Sequence, residues 1–572
     1  MNAFCGIVGH HSHEVVDKMA RAMRHRANVV QIHRAQDYAV AASHPIADPV
    51  TLLDGTPRLK STGPLSPTLL HRYIAERTPQ SRNTLRGAYA AALEFENGKR
   101  WLLIRDSLGR RPLYYYHGNG ILAFASELKA LLASGLMPKR LNLLAVDRYL
   151  TLRCVPGRES IISGINRVEP GQQVELKNGH IVRQQSILLD LRSHDIPKEK
   201  AAEELRSTLF DVLERDAGES VLWSAGIDCA SIAALRPALS PVFVSLESAW
   251  QDEARLAGES ARLMNRPLTK LNAPRFTEES VHAAVRALDE PIGDPSVFPL
   301  WLIAEALSAD KSRFVSGHGA DELLGGYPRY NFMQKAHGAR RLLPTGLLAD
   351  LMPALPPNAF IRRGSRYLTS MHDPQESYLS LVSVFDREER EDLYTDAMKS
   401  AVYDLGAGIP AIQEHFTEGD LTRNVLSLDL HIGIPYLLMA KCDRIAAAHG
   451  LDIQHPYLDD DVVEFALGIS PKSKYGIRSK PLLRMAMRNH LPGSVRIRAR
   501  RDFQIPQHGR PQRVIERIAK QVITPEYVDA TGLFRWQAIR KVIGGGLHNV
   551  YRRRQYWALV MLFAWYHNMM ES

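Results

Sequence analysis

The stretch from Val221 to Leu235 constrains this chain more than any other. An apolar run of strand character, Val221-Leu222-Trp223, ends in Ser224-Ala225-Gly226-Ile227-Asp228-Cys229, and a helical apolar pattern follows. Small residues at a strand-to-helix turn let backbone N–H groups approach a polyanion, and the helix N-terminus adds partial positive charge. The Walker phosphate loop is excluded, because it needs Gly-x-x-x-x-Gly-Lys followed by Ser or Thr. An ordinary buried strand and turn is the plainer alternative for these residues taken alone.

A chain of 572 residues has room for about three or four ordinary domains or two large ones. Its 45% hydrophobic content suits a globular protein. The net charge of +10 favours an acidic partner, but the charge is spread out and no RNA-binding or helix-turn-helix signature accompanies it, so no nucleic-acid partner is expected. The four cysteines, Cys5, Cys154, Cys229 and Cys442, form no Cys-x-x-Cys pair. Structural zinc is therefore not expected, and a reducing, cytoplasmic setting is. The N-terminus lacks a charged head followed by an apolar signal core. Tyr556–Tyr566 is apolar but shorter than the roughly 20 residues a membrane helix needs, so it reads as a core helix, with no stable membrane insertion expected.

The pattern divides the chain. From Cys5 to about Asp190 it is strand-rich, with a short helix over Val15–Met23 and apolar runs at 89–95 and 101–106 flanking a Glu96-Asn97-Gly98-Lys99 turn. A second hairpin turns at Gly118-Asn119-Gly120. A polar linker is expected near Arg192–Glu199. Beyond it, strands Val221–Trp223, Val242–Leu246 and Arg313–Val315 alternate with helices, which predicts a parallel sheet with ligands at its carboxyl ends. From Ala336 onward the chain reads as mainly helical.

A second loop, Ser316-Gly317-His318-Gly319-Ala320-Asp321-Glu322-Leu323-Leu324-Gly325-Gly326-Tyr327, follows the last of those strands. It resembles the SGEGADELFGGY element of asparagine synthetase-like enzymes, and Ser224–Cys229 resembles the SGGxDS pyrophosphate loop of ATP pyrophosphatases. Other pieces occur in the same order: the N-terminal Cys-Gly-Ile-Val-Gly, Arg24-His25-Arg26, Arg105–Tyr114, Ala125–Ala130, Asp289-Glu290-Pro291, Asp294-Pro295, His455–Asp459, and Lys480 with Leu483-Arg484. The resemblance covers nearly the whole chain. It implies an α/β multidomain protein: an N-terminal Ntn-type α/β/β/α sandwich over 1–190, like a glutamine amidotransferase, and a parallel-sheet adenine-nucleotide α-hydrolase-like synthetase domain over 200–572 ending in a helical region. It also implies ATP and Mg²⁺. Ser224, Ala225, Gly226, Ile227, Asp228, Cys229, Leu246, Gly317, Asp321 and Lys480 fall at ATP or pyrophosphate positions. Asp228 and Asp321 fall at metal positions. Lys480 matches a lysine that neutralises charge developing on the phosphates.

The chain also departs from that pattern. The family's glutaminase nucleophile is a mature N-terminal cysteine, whereas Cys5 follows Met1-Asn2-Ala3-Phe4, so removal of Met1 alone leaves it internal. The expected NGE segment becomes Asp54-Gly55-Thr56, an SD pair becomes Pro64-Leu65, and His44-Pro45 stands where an arginine is expected. A site that must pair glutamine's α-amino and α-carboxylate groups loses affinity without those partners. Cys5 is therefore expected to be a buried strand residue at a vestigial glutaminase position. In the synthetase domain His318 replaces the glutamate of SGEG, and is read either as a general base for an amine or as a pocket-shaping residue. Asp452-Ile453-Gln454 replaces Glu-x-Arg. The other histidines, including His10-His11, read as surface or core residues.

These departures suggest that the amine is not ammonia. Within the family the branch most resembled is the lasso peptide cyclases, which activate an Asp or Glu side chain of a precursor peptide and close a macrolactam with the peptide's N-terminal amine. The partners then implied are that peptide, a leader peptidase and a leader-recognition protein. The alternatives are an asparagine synthetase using ammonia or glutamine, a β-lactam synthetase-type ring closure, for which no Tyr–Glu pair is evident, and a noncatalytic nucleotide- or peptide-binding scaffold.

Overall fold

The computed structural model describes residues 2–570 except 10–11, 27–29, 61–62, 77–83, 187–195, 217, 247–250, 310–312, 340–358, 371–372, 407, 410–411, 413–420, 475, 477, 499–508 and 549–551. His10-His11 and the first part of the expected linker lie outside the described residues.

The apolar runs of the N-terminal third pair into two antiparallel sheets. One holds the strands Asn166–Arg167, Tyr114–Gly118, Ile121–Ala125, Phe4–Val8, Tyr38–Ala42 and Gln31–Arg34, in that order. The other holds His180–Ser186, Gln172–Lys177, Arg100–Arg105, Tyr89–Phe95 and Thr51–Gly55. The hairpin at 118–121 turns through Asn119 and Gly120, both at positive φ, as a two-residue turn between right-twisted strands requires. The sheets face each other across a core that includes Phe4, Val40, Ala90, Trp101, Leu103 and Phe124. Helix Ser12–Ala22 covers the outer face of the first sheet and helix Pro67–Ala75 that of the second. Each sheet is covered on both sides, which is why strands such as Tyr-Ala-Val-Ala-Ala are apolar throughout instead of alternating. This is the expected α/β/β/α sandwich.

The second half contains a five-stranded, wholly parallel sheet in the order Thr269–Asn272, Ser240–Ser245, Ser220–Leu222, Phe314–Val315, Ile453–Gln454. Its three inner strands are those expected from sequence. The two outer ones are short, and Thr-Lys-Leu-Asn is mostly exposed, so neither carried an apolar signal. Connections leave Ser220–Leu222 toward one edge and Phe314–Val315 lies on the other side, so the order reverses between them. A crevice at such a reversal, beyond the carboxyl ends, is where open α/β sheets bind ligands.

The C-terminal helix Arg553–Met570 is a core helix, with Trp557, Leu559, Val560, Phe563 and Trp565 buried. Its core is continuous with the N-terminal domain, where Tyr149 donates its hydroxyl to the Ala558 carbonyl at 2.7 Å. Among the described residues, one helical run, Asn424–Ala448, is long and apolar enough to cross a membrane by length and composition, but 72% of that apolar window is buried inside the protein. A π-helical stretch, Asp429–Leu438, accommodates Pro435 within this run, where an α-helix would clash with the proline ring.

Candidate active site

Two loops meet at the sheet's reversal point. Ser224–Gly226 follows the central strand, and Ser316–Gly319 follows its neighbour. They touch so closely that a Cβ on Gly317 would lie 2.8 Å from Asp228 Cβ and 3.2 Å from the Cys229 nitrogen. Only glycine fits there. Gly226 caps helix Ile227–Leu235 with backbone alone. The Gly226 amide donates to Ser224 Oγ at 3.2 Å and the Ala225 amide to Glu253 Oε1 at 3.4 Å. Ile227 and Cys229 are buried in one core and support the loop with apolar surface, whereas Leu246 is buried in the other. Burial also pushes the Cys229 thiol up, which keeps it protonated.

Lys480 lies between the two loops. Its Nζ donates to Asp228 Oδ1 and Oδ2 at 2.7 and 2.6 Å and pairs with Asp321 Oδ1 at 2.7 Å. The lysine is 3% exposed, and each aspartate side chain is 22% exposed. Burial opposes a charge on Lys480, but Asp228 and then Asp321 outweigh it and raise its pKa. The ammonium is thus held at neutral pH. Lys480 reaches this position at φ +54°, as the cap of helix Pro481–Ala486. Gly326 makes the packing possible: a Cβ there would lie 1.8 Å from Asp321 Oδ1 and 2.6 Å from Lys480 Cε.

Two carboxylates share one ammonium, so the cluster has a net charge of −1 and solvent access through the aspartates. That donor set fits Mg²⁺, which takes one or two carboxylates and completes its shell with substrate phosphates and water. Among the described residues no group of three or more His, Cys, Asp or Glu is arranged to hold a metal by itself, so phosphate oxygens belong to the fit.

His318 sits behind this cluster. Its Nδ1 lies 2.7 Å from Ser316 Oγ and 3.8 Å from Cys442 Sγ, and its ring is 5.6 Å from that of His455. Burial, helped by the Lys441 ammonium, lowers its pKa to about 4. The ring is therefore neutral at pH 7 but only a weak base. Lys441 is fixed by Asp294 Oδ2 and Ser296 Oγ, both at 2.7 Å.

Sequence reasoning missed several of these contacts. The Tyr457 hydroxyl donates to the Asp228 carbonyl at 3.2 Å. Within the second loop, Tyr327 Oη donates to Glu322 Oε1 at 2.5 Å beside Asp321. Both residues stand in the Ser316–Tyr327 element, which was the signal available for this contact.

Cys5 is fully buried in the strand Phe4–Val8, paired with Ala125 on one side and Ala41 on the other. Burial pushes its thiol far up. The residues before it are part of the structure, since the Ala3 amide donates to Ser43 Oγ at 2.8 Å and the Phe4 amide to Ser126 Oγ at 3.1 Å. His44, at the place of the missing arginine, accepts the Leu53 amide on Nε2 at 3.0 Å. Asp54 is turned to Arg26, which is buried among Asp54, Glu127 and Asp443 at 3.3 to 3.4 Å. We expect Cys5→Ala to leave product formation intact, at about 1 kcal/mol of stability for the deleted buried atom. Complete loss of product would restore a nucleophilic role for Cys5.

Comparison with known proteins agrees with this geometry. The asparagine synthase family model matches residues 201–567, and the glutamine amidotransferase domain model matches 66–186. The chain belongs to the asparagine synthase family and is an ATP-dependent carbon–nitrogen ligase. It is 25% identical to asparagine synthetase [glutamine-hydrolyzing] 1 of Bacillus subtilis (strain 168), over 75% of this chain and 69% of that protein. A putative asparagine synthetase [glutamine-hydrolyzing] of Mycobacterium tuberculosis (strain ATCC 25618 / H37Rv) is 25% identical over 74% of this chain and 67% of its own length. Amidase chry2 of Gibberella zeae is 22% identical over 81% and 76%.

Proposed function

We propose that this ligase closes a macrolactam in a ribosomally made precursor peptide, as lasso peptide cyclases do. A side-chain carboxylate oxygen of the peptide's Asp or Glu attacks the α-phosphorus of ATP. Pyrophosphate leaves, and an acyl-adenylate remains. The peptide's N-terminal amine then attacks the acyl carbon, AMP leaves, and the amide forms with loss of a proton. The Ser224–Asp228 loop, at the N-terminus of helix Ile227–Leu235, binds the departing pyrophosphate. Lys480 offsets charge on the phosphates in both half-reactions, and Asp228 and Asp321 would hold Mg²⁺. The metal supplies Lewis-acid stabilisation of the phosphates.

One observation supports a reaction that does not use glutamine. Cys5 is buried in the first sheet, with the Ala3 and Phe4 amides hydrogen-bonded ahead of it, so exposing it as an N-terminal nucleophile would remove Phe4 from the strand and both of those bonds. His318, which stands where the family has a glutamate, is a second departure that fits an amine other than ammonia. The partners of this reaction are the precursor peptide, a leader peptidase and a leader-recognition protein, and its setting is the cytoplasm.

The test is an assay with ATP, Mg²⁺ and aspartate, given ammonium in one arm and glutamine in the other. We expect no AMP and no asparagine in either. Asparagine with AMP in the ammonium or glutamine arm would return the chain to asparagine synthesis. At His318, a pocket-shaping role predicts that His318→Ala slows adenylation and amide formation alike. Selective slowing of amide formation would make it the base.

A further inference from the structure

One segment through which the amidotransferase-like domain reaches the ATP site is 455–460. Arg110 is nearly buried and uses its whole guanidinium in this contact. Its Nε donates to Asp106 Oδ1 at 3.0 Å, Nη1 to the Leu458 carbonyl at 2.6 Å, and Nη2 to the Gly87 carbonyl and Asp460 Oδ2 at 2.7 and 2.8 Å. Ser107 Oγ donates to Asp460 Oδ1, and the Gly87 amide donates to Asp460 Oδ2 at 2.8 Å. Asp460 is 0% exposed and opens helix Asp460–Gly468. Three groups of the first domain therefore converge on one carboxylate of the second.

The clamped segment bears directly on both aspartates of the ATP site. Tyr457, one residue before Leu458, donates its hydroxyl to the Asp228 carbonyl. Leu458 packs into the space left by Gly319, where a Cβ would lie 2.4 Å from Leu458 Cδ2, and Gly319 caps the helix that opens Ala320-Asp321. From Arg110 the path to Asp228 runs through Leu458 and Tyr457, and the path to Asp321 runs through Leu458 and Gly319.

We propose that the amidotransferase-like domain, without a glutaminase role, serves as a positioning element for the ATP site, and that Arg110 is its positioning residue, acting through Leu458 and Asp460 on Asp228 and Asp321. This rests on reading those aspartates as the holders of Mg²⁺ and ATP. It accounts for a domain whose glutamine pocket is broken but whose Arg105–Tyr114 motif is built into the interface.

The test measures ATP affinity of the full chain by calorimetry, once with Mg²⁺ and once with EDTA, alongside the thermal unfolding midpoint. Arg110→Lys keeps the charge beside Asp106 and Asp460 but cannot span Leu458 and Gly87 together. It should lose about 10-fold of the Mg²⁺-dependent gain in ATP affinity, as loss of an outer partner of a metal ligand does, while affinity in EDTA stays within about twofold. Ser107→Ala, which leaves the ion pair in place, should shift the same ratio in the same direction by less. An unchanged Mg²⁺ gain in both variants overturns the proposal. So does a fall in both affinities that follows the unfolding midpoint, since that is the signature of general destabilisation. Wild-type protein that binds ATP equally well with and without Mg²⁺ overturns the site assignment itself, and the proposal with it.

Discussion

Asp228→Ala and Asp321→Ala are each expected to abolish ATP-dependent adenylation and to leave the protein folded. The effect is large because the site's charge balance depends on both carboxylates. Lys480 supplies one positive charge to two aspartates, and the remaining negative charge is what draws a divalent ion to the phosphates. A metal that stabilises transferring phosphoryl oxygens is worth several kcal/mol, and about 1.4 kcal/mol is tenfold in rate, so a loss of about a thousandfold or more is expected. Stability should change little. Removing one aspartate leaves Lys480 paired with the other, so no buried charge is stranded, and both carboxylates are partly exposed. Pyrophosphate exchange or AMP release, measured beside the unfolding midpoint, checks this. Near-normal turnover in either variant would remove the metal assignment.

Gly326→Ala is expected to have the second-largest effect. The added Cβ would lie 1.8 Å from Asp321 Oδ1 and 2.6 Å from Lys480 Cε, well inside van der Waals contact. Gly326 is absent from the positive-φ residues, so alanine is conformationally permitted and the damage is local to the aspartate–lysine contact. Asp321 or Lys480 must move, and displacements of about 1 Å at a reacting site cost on the order of a hundredfold in rate. Gly493→Ala is the control, since its Cβ would meet nothing within 4 Å. Adenylation should fall about a hundredfold in the first and stay at wild-type level in the second. Equal activity in the two would mean that the Asp321–Lys480 geometry does not limit the reaction.

Much of the site was legible in the sequence because its parts are local. Ser224–Asp228 and Ser316–Asp321 are each a strand, a turn of small residues and a helix start, and a parallel sheet brings such turns to one edge. Cys5 was legible as a strand residue from its apolar neighbours. The bond between Lys480 and Asp228 was not, since it joins residues 252 apart and nothing in either neighbourhood names the other. The resemblance placed both in one site, yet only the fold shows the lysine between the two aspartates. The interface was equally hidden. Arg26, Arg110 and Arg111 fall in pieces that the resemblance matched, but nothing in those pieces shows that Arg26 and Arg110 are buried and that the three pair with Asp443 or Asp460 of the other domain. The strands Thr269–Asn272 and Ile453–Gln454 escaped because an edge strand of two to four residues gives too little periodicity. Pro435 would have argued for a helix break, and the π-helical stretch shows how the chain continues past it.

The most direct test of the central claim is mass spectrometry of a candidate precursor peptide co-expressed with its leader peptidase, with and without this protein. The account predicts a leader-free product lighter by one water that appears only with the protein and disappears with Asp228→Ala. A leader-free peptide of unchanged mass in the presence of the wild-type protein would contradict macrolactam formation.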